Sequence, residues 1–359
     1  MGNVPMRAPV FRGGNIRVCE MPMPEPGDGQ ILARSLACGI CASDLHFMDD
    51  PLGASAADPG GLWNYDPNAD IVMGHEYCAE IVAYGPGTAR RWPIGTRVAS
   101  IPVLIRPNAV RIVGYSADAP GAFGQYFLMS EAVTQQVRGD LPSELVATSD
   151  AIAVGWFYAK RAAITAREIP LVIGCGAIGL AVIASLRRLG IGPIVAVDFS
   201  AERRALAQVM GADTAIDPAA RSPYGAWREL AYGAEDIVRG AFGAADLPRC
   251  VIFECVGRPG VLESIVRACE AYARILSAGG CPEGDHIPSP MAHVKGLNLQ
   301  FGGGPQMADW NEALDEVCSG RINVAPLVGE LVSLDDVPDA LNRARGPHAP
   351  ARIIIQPNR

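Results

Sequence analysis

No apolar run in this chain approaches the ~20 residues that a helix needs to cross a bilayer. Basic charge is also scarce: 38 Asp and Glu outweigh 30 Lys and Arg, for a net charge of −8. The first shortage argues against a membrane protein. The second argues against nucleic acid as partner, because phosphate backbones select basic faces. Internal repeats and low-complexity tracts are missing as well. The start, "MGNVPMRAPVF", shows no charged-then-apolar leader, and Met6 breaks the myristoylation pattern. A cytoplasmic location is therefore expected. The ten cysteines do not form the dense framework of a short secreted chain. Several lie inside apolar runs such as "VIGCG" and "RCVIFECVG", where a thiol acts as a small buried hydrophobe in a reducing compartment.

What is present is enzyme-sized. A chain of 359 residues, 49% hydrophobic and 19% charged, can fill the cores of two domains. To about residue 150 it reads as short strands broken by Gly and Pro ("QILARSLACGI", "AEIVAYGPGT", "TRVASIPVLI", "GQYFLMS"), which predicts an irregular β-rich domain. The segment "DAIAVGWFYAKRAA" then has a helical apolar period. Strands and helices alternate after it, from "IPLVIG" through "NLQFGGG", which predicts a parallel sheet with crossover helices. The last stretch reads as two amphipathic helices and an edge strand, "ARIIIQP", and could belong to either domain.

Two motifs carry chemistry. Gly174-x-Gly176-x-x-Gly179 follows an apolar strand and opens a helix through Ala177 and Ile178. In that context the glycines serve a tight turn, close approach to a pyrophosphate, and helix–strand packing. The pyrophosphate would sit on the helix amino terminus. Asp198 ends the next strand, where an acid hydrogen-bonds an adenosine ribose and repels a 2′-phosphate. NAD is expected over NADP, although Arg203 and Arg204 follow closely.

The second motif is "CGICASDLH", with "GHE" further on. Its cysteine pair admits three readings: a redox dithiol, a structural zinc knuckle, or part of a catalytic metal site. A redox pair belongs in a small βαβ fold, and a structural zinc needs a second close Cys or His pair; neither context is present. A catalytic zinc takes three protein ligands and keeps an open position. Cys41 and His75, ahead of a dinucleotide fold, favour this third reading.

With "CGICASDLH", "GHE", "GCGAIG" and its Asp198, "FECVG" and "PLVGELVSLDDVPDAL", the chain resembles the zinc-dependent alcohol and polyol dehydrogenases of the medium-chain dehydrogenase/reductase superfamily over nearly its whole length. The resemblance implies an α/β protein in three stretches. These are a GroES-like β-rich catalytic domain (1–151), a Rossmann domain with a doubly wound parallel sheet (152–300), and a return to the catalytic domain (301–359). It gives the zinc ligands as Cys41, His75 and Asp150, with Glu76 as the neighbouring acid that can enter or leave the metal shell. Ser43 and His46 become a proton relay, and Asp44 a partner of the ligating histidine. Arg203 and Val256 join the glycine turn as cofactor contacts. Cys38 fits no ligand place. Many relatives hold a structural zinc with four cysteines between Val98 and "GAFGQY"; no cysteine occurs there, so one zinc per chain is expected.

The implied activity is hydride transfer between a primary or secondary alcohol and NAD, in a homodimer or homotetramer. A polyol or sugar dehydrogenase and a non-enzymatic NAD-binding sensor are the alternatives. Between His46 and His75 lies a long Gly/Pro-rich stretch. Leu52, Trp63 and Tyr65 could line an apolar pocket there, or the stretch could be a surface or subunit-contact loop.

Overall fold

The computed structural model describes residues 5–58, 60–233, 236, 239, 246–346 and 348–359. They divide into two compact units. One comprises Met1–Asp150, Leu314–Gly320 and Leu327–Arg359; the other comprises Ala151–Ala313 and Arg321–Pro326. The second junction thus falls at residue 313 rather than at 300. The strand Asn298–Phe301 pairs with Arg274–Ser277, which keeps it in the second unit. Among the described residues no helix is long and apolar enough to cross a membrane.

In the first unit the central strand is Gln30–Gly39, buried along almost its whole length. It pairs antiparallel with Glu76–Tyr84 on one side and with the carboxyl-terminal strand Arg352–Gln356 on the other. Tyr126–Ser130 also pairs with its first half. Arg352–Gln356 is therefore an interior strand, not the edge strand expected from the sequence. Its outer neighbour is Val328–Ser333, in parallel. The sequence pattern of residues 326–346 reads as one amphipathic helix, but its first half is this strand. The helix proper is only Val337–Ala344. Ser333 and Asp336 exchange hydrogen bonds at the join, which stops the strand and starts the helix. Period-2 and period-3.6 patterns are hard to separate over so few residues.

Register then decides what meets at one end of this sheet. Gly39 lies opposite Glu76, and Ile354 lies opposite Gly39. The exit of the central strand, the start of Glu76–Tyr84 and the start of Arg352–Gln356 are consequently neighbours. Cys41 follows the first of these ends, His75 precedes the second, and Arg352 opens the third. Gly74 is required just there. Its φ of +102° suits glycine, and a Cβ would stand 2.4 Å from the Phe123 ring and 2.9 Å from Cys38 Sγ.

The second unit holds six parallel strands in spatial order Thr214–Ile216, Val195–Val197, Glu168–Ile173, Arg249–Glu254, Arg274–Ser277 and Asn298–Phe301. Numbered along the chain this is 3-2-1-4-5-6, the doubly wound dinucleotide-binding order. Its switch point lies between the first and fourth strands. The helix Ala177–Arg188 starts from the first strand by way of the glycine turn. Fully buried Trp227, Ile252, Ile265 and Ile275 belong to its core.

Candidate metal centre and nucleotide turn

Cys41 precedes the helix Ala42–Asp49, whose first turn supplies Ser43 and Asp44. Asp44 is wholly buried, and its Oδ2 accepts from the Cys41 N–H at 2.8 Å. This bond pins the thiol's backbone to the helix start. Donor atoms of Cys41, His75 and Glu76 lie within 4.8 Å of one another. Burial pushes the His75 imidazole towards its neutral form. The charge of Asp44 and its hydrogen bond, with Cys41 adding to them, more than reverse this and hold its pKa well above the usual value.

Glu76 is almost fully buried. Its Oε1 accepts from Arg352 Nη2 at 2.5 Å, while Oε2 is buried with no hydrogen-bond partner. An unpartnered carboxylate oxygen in a dry site is costly. Together with a thiol and an imidazole it makes the borderline-soft N/S/O donor set that zinc accepts. The residues present thus fit the ion. Arg352, 5% exposed, also approaches Cys41 Sγ at 3.8 Å. Burial pulls its pKa down, but Glu76 above all, then Cys41, Asp150 and Asp44, push it up further.

Asp150 stands in the first turn of the helix Ser149–Ala162. Its charge is felt by Arg352, Tyr77 and Cys38, but it is not one of the three clustered donors. The resemblance assigns the third ligand to Asp150; the geometry brings Glu76 instead. Metal analysis after desalting separates the two. Glu76→Gln is expected to lose most of its zinc and Asp150→Asn to keep it, with the opposite pattern if Asp150 is the ligand.

Ser43 Oγ lies 3.4 Å from His75 Nε2, and His46 follows one turn later on the same helix, half-buried. Cys38 is fully buried in the central strand. Burial above all, then the charges of Asp44 and Glu76, push its thiol pKa well up, so it stays protonated and makes a poor ligand.

Two side chains at this centre escape sequence reading. One is Arg352. The other is Tyr115, whose hydroxyl is 3.0 Å from Ser43 Oγ, 3.0 Å from His75 Nδ1 and 3.1 Å from Asp44 Oδ1. Only its place in a Gly-rich turn marks it in the sequence. The long stretch after His46 reaches it: Trp63 stacks on the Tyr115 ring at 4.3 Å between centroids. Tyr65 meets Phe47 edge-on. Trp63 and Tyr65 are thus packed against the core, whereas Leu52 is 64% exposed.

In the second unit, Gly174 adopts φ +91°, and a Cβ on Gly179 would stand 1.8 Å from the Gly174 carbonyl oxygen. Asp198 accepts from Cys175 N at 2.8 Å through Oδ2 and from Ser200 N at 2.9 Å through Oδ1. The acid therefore braces the turn as well as marking the strand end. Arg203 donates its backbone N–H to Ser200 Oγ. The Arg204 guanidinium is tied to the carbonyls of Asp198 and Phe199 and faces Asp217. Val256 N and Gly257 N both donate to Glu254 Oε1, which shapes the "FECVG" turn. Beside it is a cavity of about 460 Å³, at the carboxyl ends of the last three strands, bordered by Tyr158, Glu254, Arg258, Ser277 and Phe301.

Fold and site define a class: a two-unit dehydrogenase with a dinucleotide-binding sheet and a separate N/S/O metal centre. Comparison with known proteins agrees. The alcohol dehydrogenase GroES-like domain matches residues 27–139, and the zinc-binding dehydrogenase family matches residues 177–319. Sorbitol dehydrogenase of Gallus gallus is 26% identical over 348 residues, 94% of this chain and 92% of that protein. (R,R)-butanediol dehydrogenase of Bacillus subtilis is 28% identical over 263 residues, 71% of each. The crystal structure of 2R,3R-butanediol dehydrogenase from Bacillus subtilis shares the fold with a TM-score of 0.80 at 23% identity, covering 98% of this chain and 100% of that one. The chain belongs to the zinc-dependent medium-chain dehydrogenase family. It is an oxidoreductase of CH–OH groups that uses zinc and a nicotinamide cofactor.

Proposed function

We propose that this protein oxidises a secondary alcohol with a neighbouring hydroxyl, and reduces the matching ketone, using NAD(H) and one zinc ion. The observation that carries the reading is the convergence of Cys41, His75 and Glu76, with a carboxylate oxygen of Glu76 left unpartnered. Relatives named for sorbitol and butanediol, both bearing adjacent hydroxyls, support the substrate class. Packed aromatic side chains at Trp63 and Tyr65 favour a second reading, a more apolar alcohol.

Zinc held by Cys41, His75 and Glu76, with a bound nicotinamide as hydride acceptor, would supply a Lewis acid towards the substrate hydroxyl. Ser43, beside the imidazole, accepts that hydroxyl's proton. His46 passes the proton outward, a task suited to a side chain with an ordinary pKa near 6.5. The absence of cysteine from 98–126 supports a single zinc per chain. Asp198 at the ribose position supports NAD, since a 2′-phosphate would meet its negative charge. Assembly as a homodimer or homotetramer follows from the resemblance.

Reduction of vicinal hydroxyketones, simple ketones and aldehydes, followed by absorbance with NADH and NADPH, tests this. Hydroxyketones with NADH are expected to react fastest, and a chelator is expected to abolish the rate. Faster reaction of simple aryl ketones would favour the apolar substrate. No turnover with any carbonyl, despite tight NADH binding, would mean a sensor rather than an enzyme.

A further inference from the structure

We propose that Tyr115 is a positioning residue that selects which nitrogen of His75 faces the metal, and that Trp63 holds it in place. This rests on the zinc reading and adds to it a residue outside the ligand set.

Three polar atoms surround the Tyr115 hydroxyl at 3.0–3.1 Å, yet a phenol has one proton and two accepting lone pairs. Asp44 is a carboxylate and can only accept, so the phenolic proton goes to Asp44 Oδ1. A lone pair then accepts from His75 Nδ1–H, while Ser43 Oγ stands as a further acceptor beside the phenolic proton. Direct contact between His75 Nδ1 and Asp44 Oδ1 is longer, 3.4 Å. Tyr115 is thus the main link through which the carboxylate holds the imidazole. With the proton kept on Nδ1, Nε2 carries the free lone pair that a metal needs.

The ring is held as firmly as the hydroxyl. Tyr115 is almost fully buried, and Trp63 lies parallel to it within 5°. Phe47, on the same helix as Ser43, packs at 5.0 Å. The Trp63 segment is anchored in turn. Trp63 N donates to Asp58 Oδ2 at 2.8 Å, Asn64 N to Ser116 Oγ at 3.0 Å, and Ile112 N to the Leu62 carbonyl at 2.9 Å. The long stretch between His46 and His75 therefore ends in a buttress for the metal centre.

Chelator competition on the whole protein measures the zinc affinity. Tyr115→Phe keeps the ring stack and removes the hydroxyl. It is expected to weaken zinc binding by ~10–100-fold, the usual cost of losing a partner behind a metal ligand, with little change in the melting of the zinc-free protein. The His75 Nδ1 proton, followed by proton–nitrogen NMR in the zinc-loaded protein, is expected to exchange slowly in wild type and faster in Tyr115→Phe. Trp63→Leu, which keeps the hydroxyl but frees the ring, is expected to fall between wild type and Tyr115→Phe in affinity. It provides the test if Tyr115→Phe does not fold. Wild-type affinity and slow exchange in Tyr115→Phe, or wild-type affinity in Trp63→Leu, would overturn the proposal. A wild-type protein that holds no zinc would instead overturn the metal reading itself.

Discussion

Cys41→Ser is expected to leave the protein folded, strip it of zinc, and lower turnover by ~10³-fold or more, since a Lewis acid contributes several kcal/mol at the reacting oxygen and each 1.36 kcal/mol is tenfold. The argument is local. Cys41 is the only thiol of the clustered donor set, and its backbone is already pinned by Asp44. Cys38→Ala is the matched control. That thiol is buried in the central strand with its pKa pushed up, so its removal should leave zinc content unchanged. Metal analysis and initial rates on the two variants check both halves. Full zinc occupancy in Cys41→Ser would show that the ion, if bound, sits elsewhere.

Arg352→Met is expected to have the largest effect on stability. Arg352 and Glu76 form an ion pair at 5% and 1% side-chain exposure. Removing one partner of such a pair leaves an uncompensated buried charge, at a cost of ~3–5 kcal/mol. At roughly 2–4 °C per kcal/mol for domains of this size, the catalytic unit should melt on the order of 10 °C lower. The double variant Arg352→Met/Glu76→Gln should recover part of that loss, because the stranded carboxylate is gone. Calorimetry of the zinc-free forms isolates the ion pair from the metal. Equal melting of wild type and Arg352→Met would show that the pair contributes nothing net.

Much of this centre was legible in the chain because the code for it is short-range. A cysteine just after a strand and a turn glycine ahead of His75 each state a local backbone requirement. The glycine turn and Asp198 are legible for the same reason. Strand–helix alternation announced the parallel sheet, although the short strand Thr214–Ile216 was not among the runs read as strands.

Tyr115 and Arg352 were not legible, because nothing near them in sequence names their partners. Arg352 opens a strand that looks like an exposed edge. Only the pairing of Ile354 with Gly39 places it beside Glu76, 276 positions away. Trp63 could be read as a pocket wall or as part of a surface loop, and its stack on Tyr115 is a contact that neither reading stated.

By itself, then, the sequence determined the kinds of group available: a thiol, an imidazole, two carboxylates and a phosphate-binding turn, each fixed by backbone geometry within a few residues. The tertiary structure alone decided which carboxylate joins the thiol and imidazole, and which arginine and tyrosine stand behind them. Side-chain neighbours across a sheet are set by strand register, and register is a property of the whole assembled sheet.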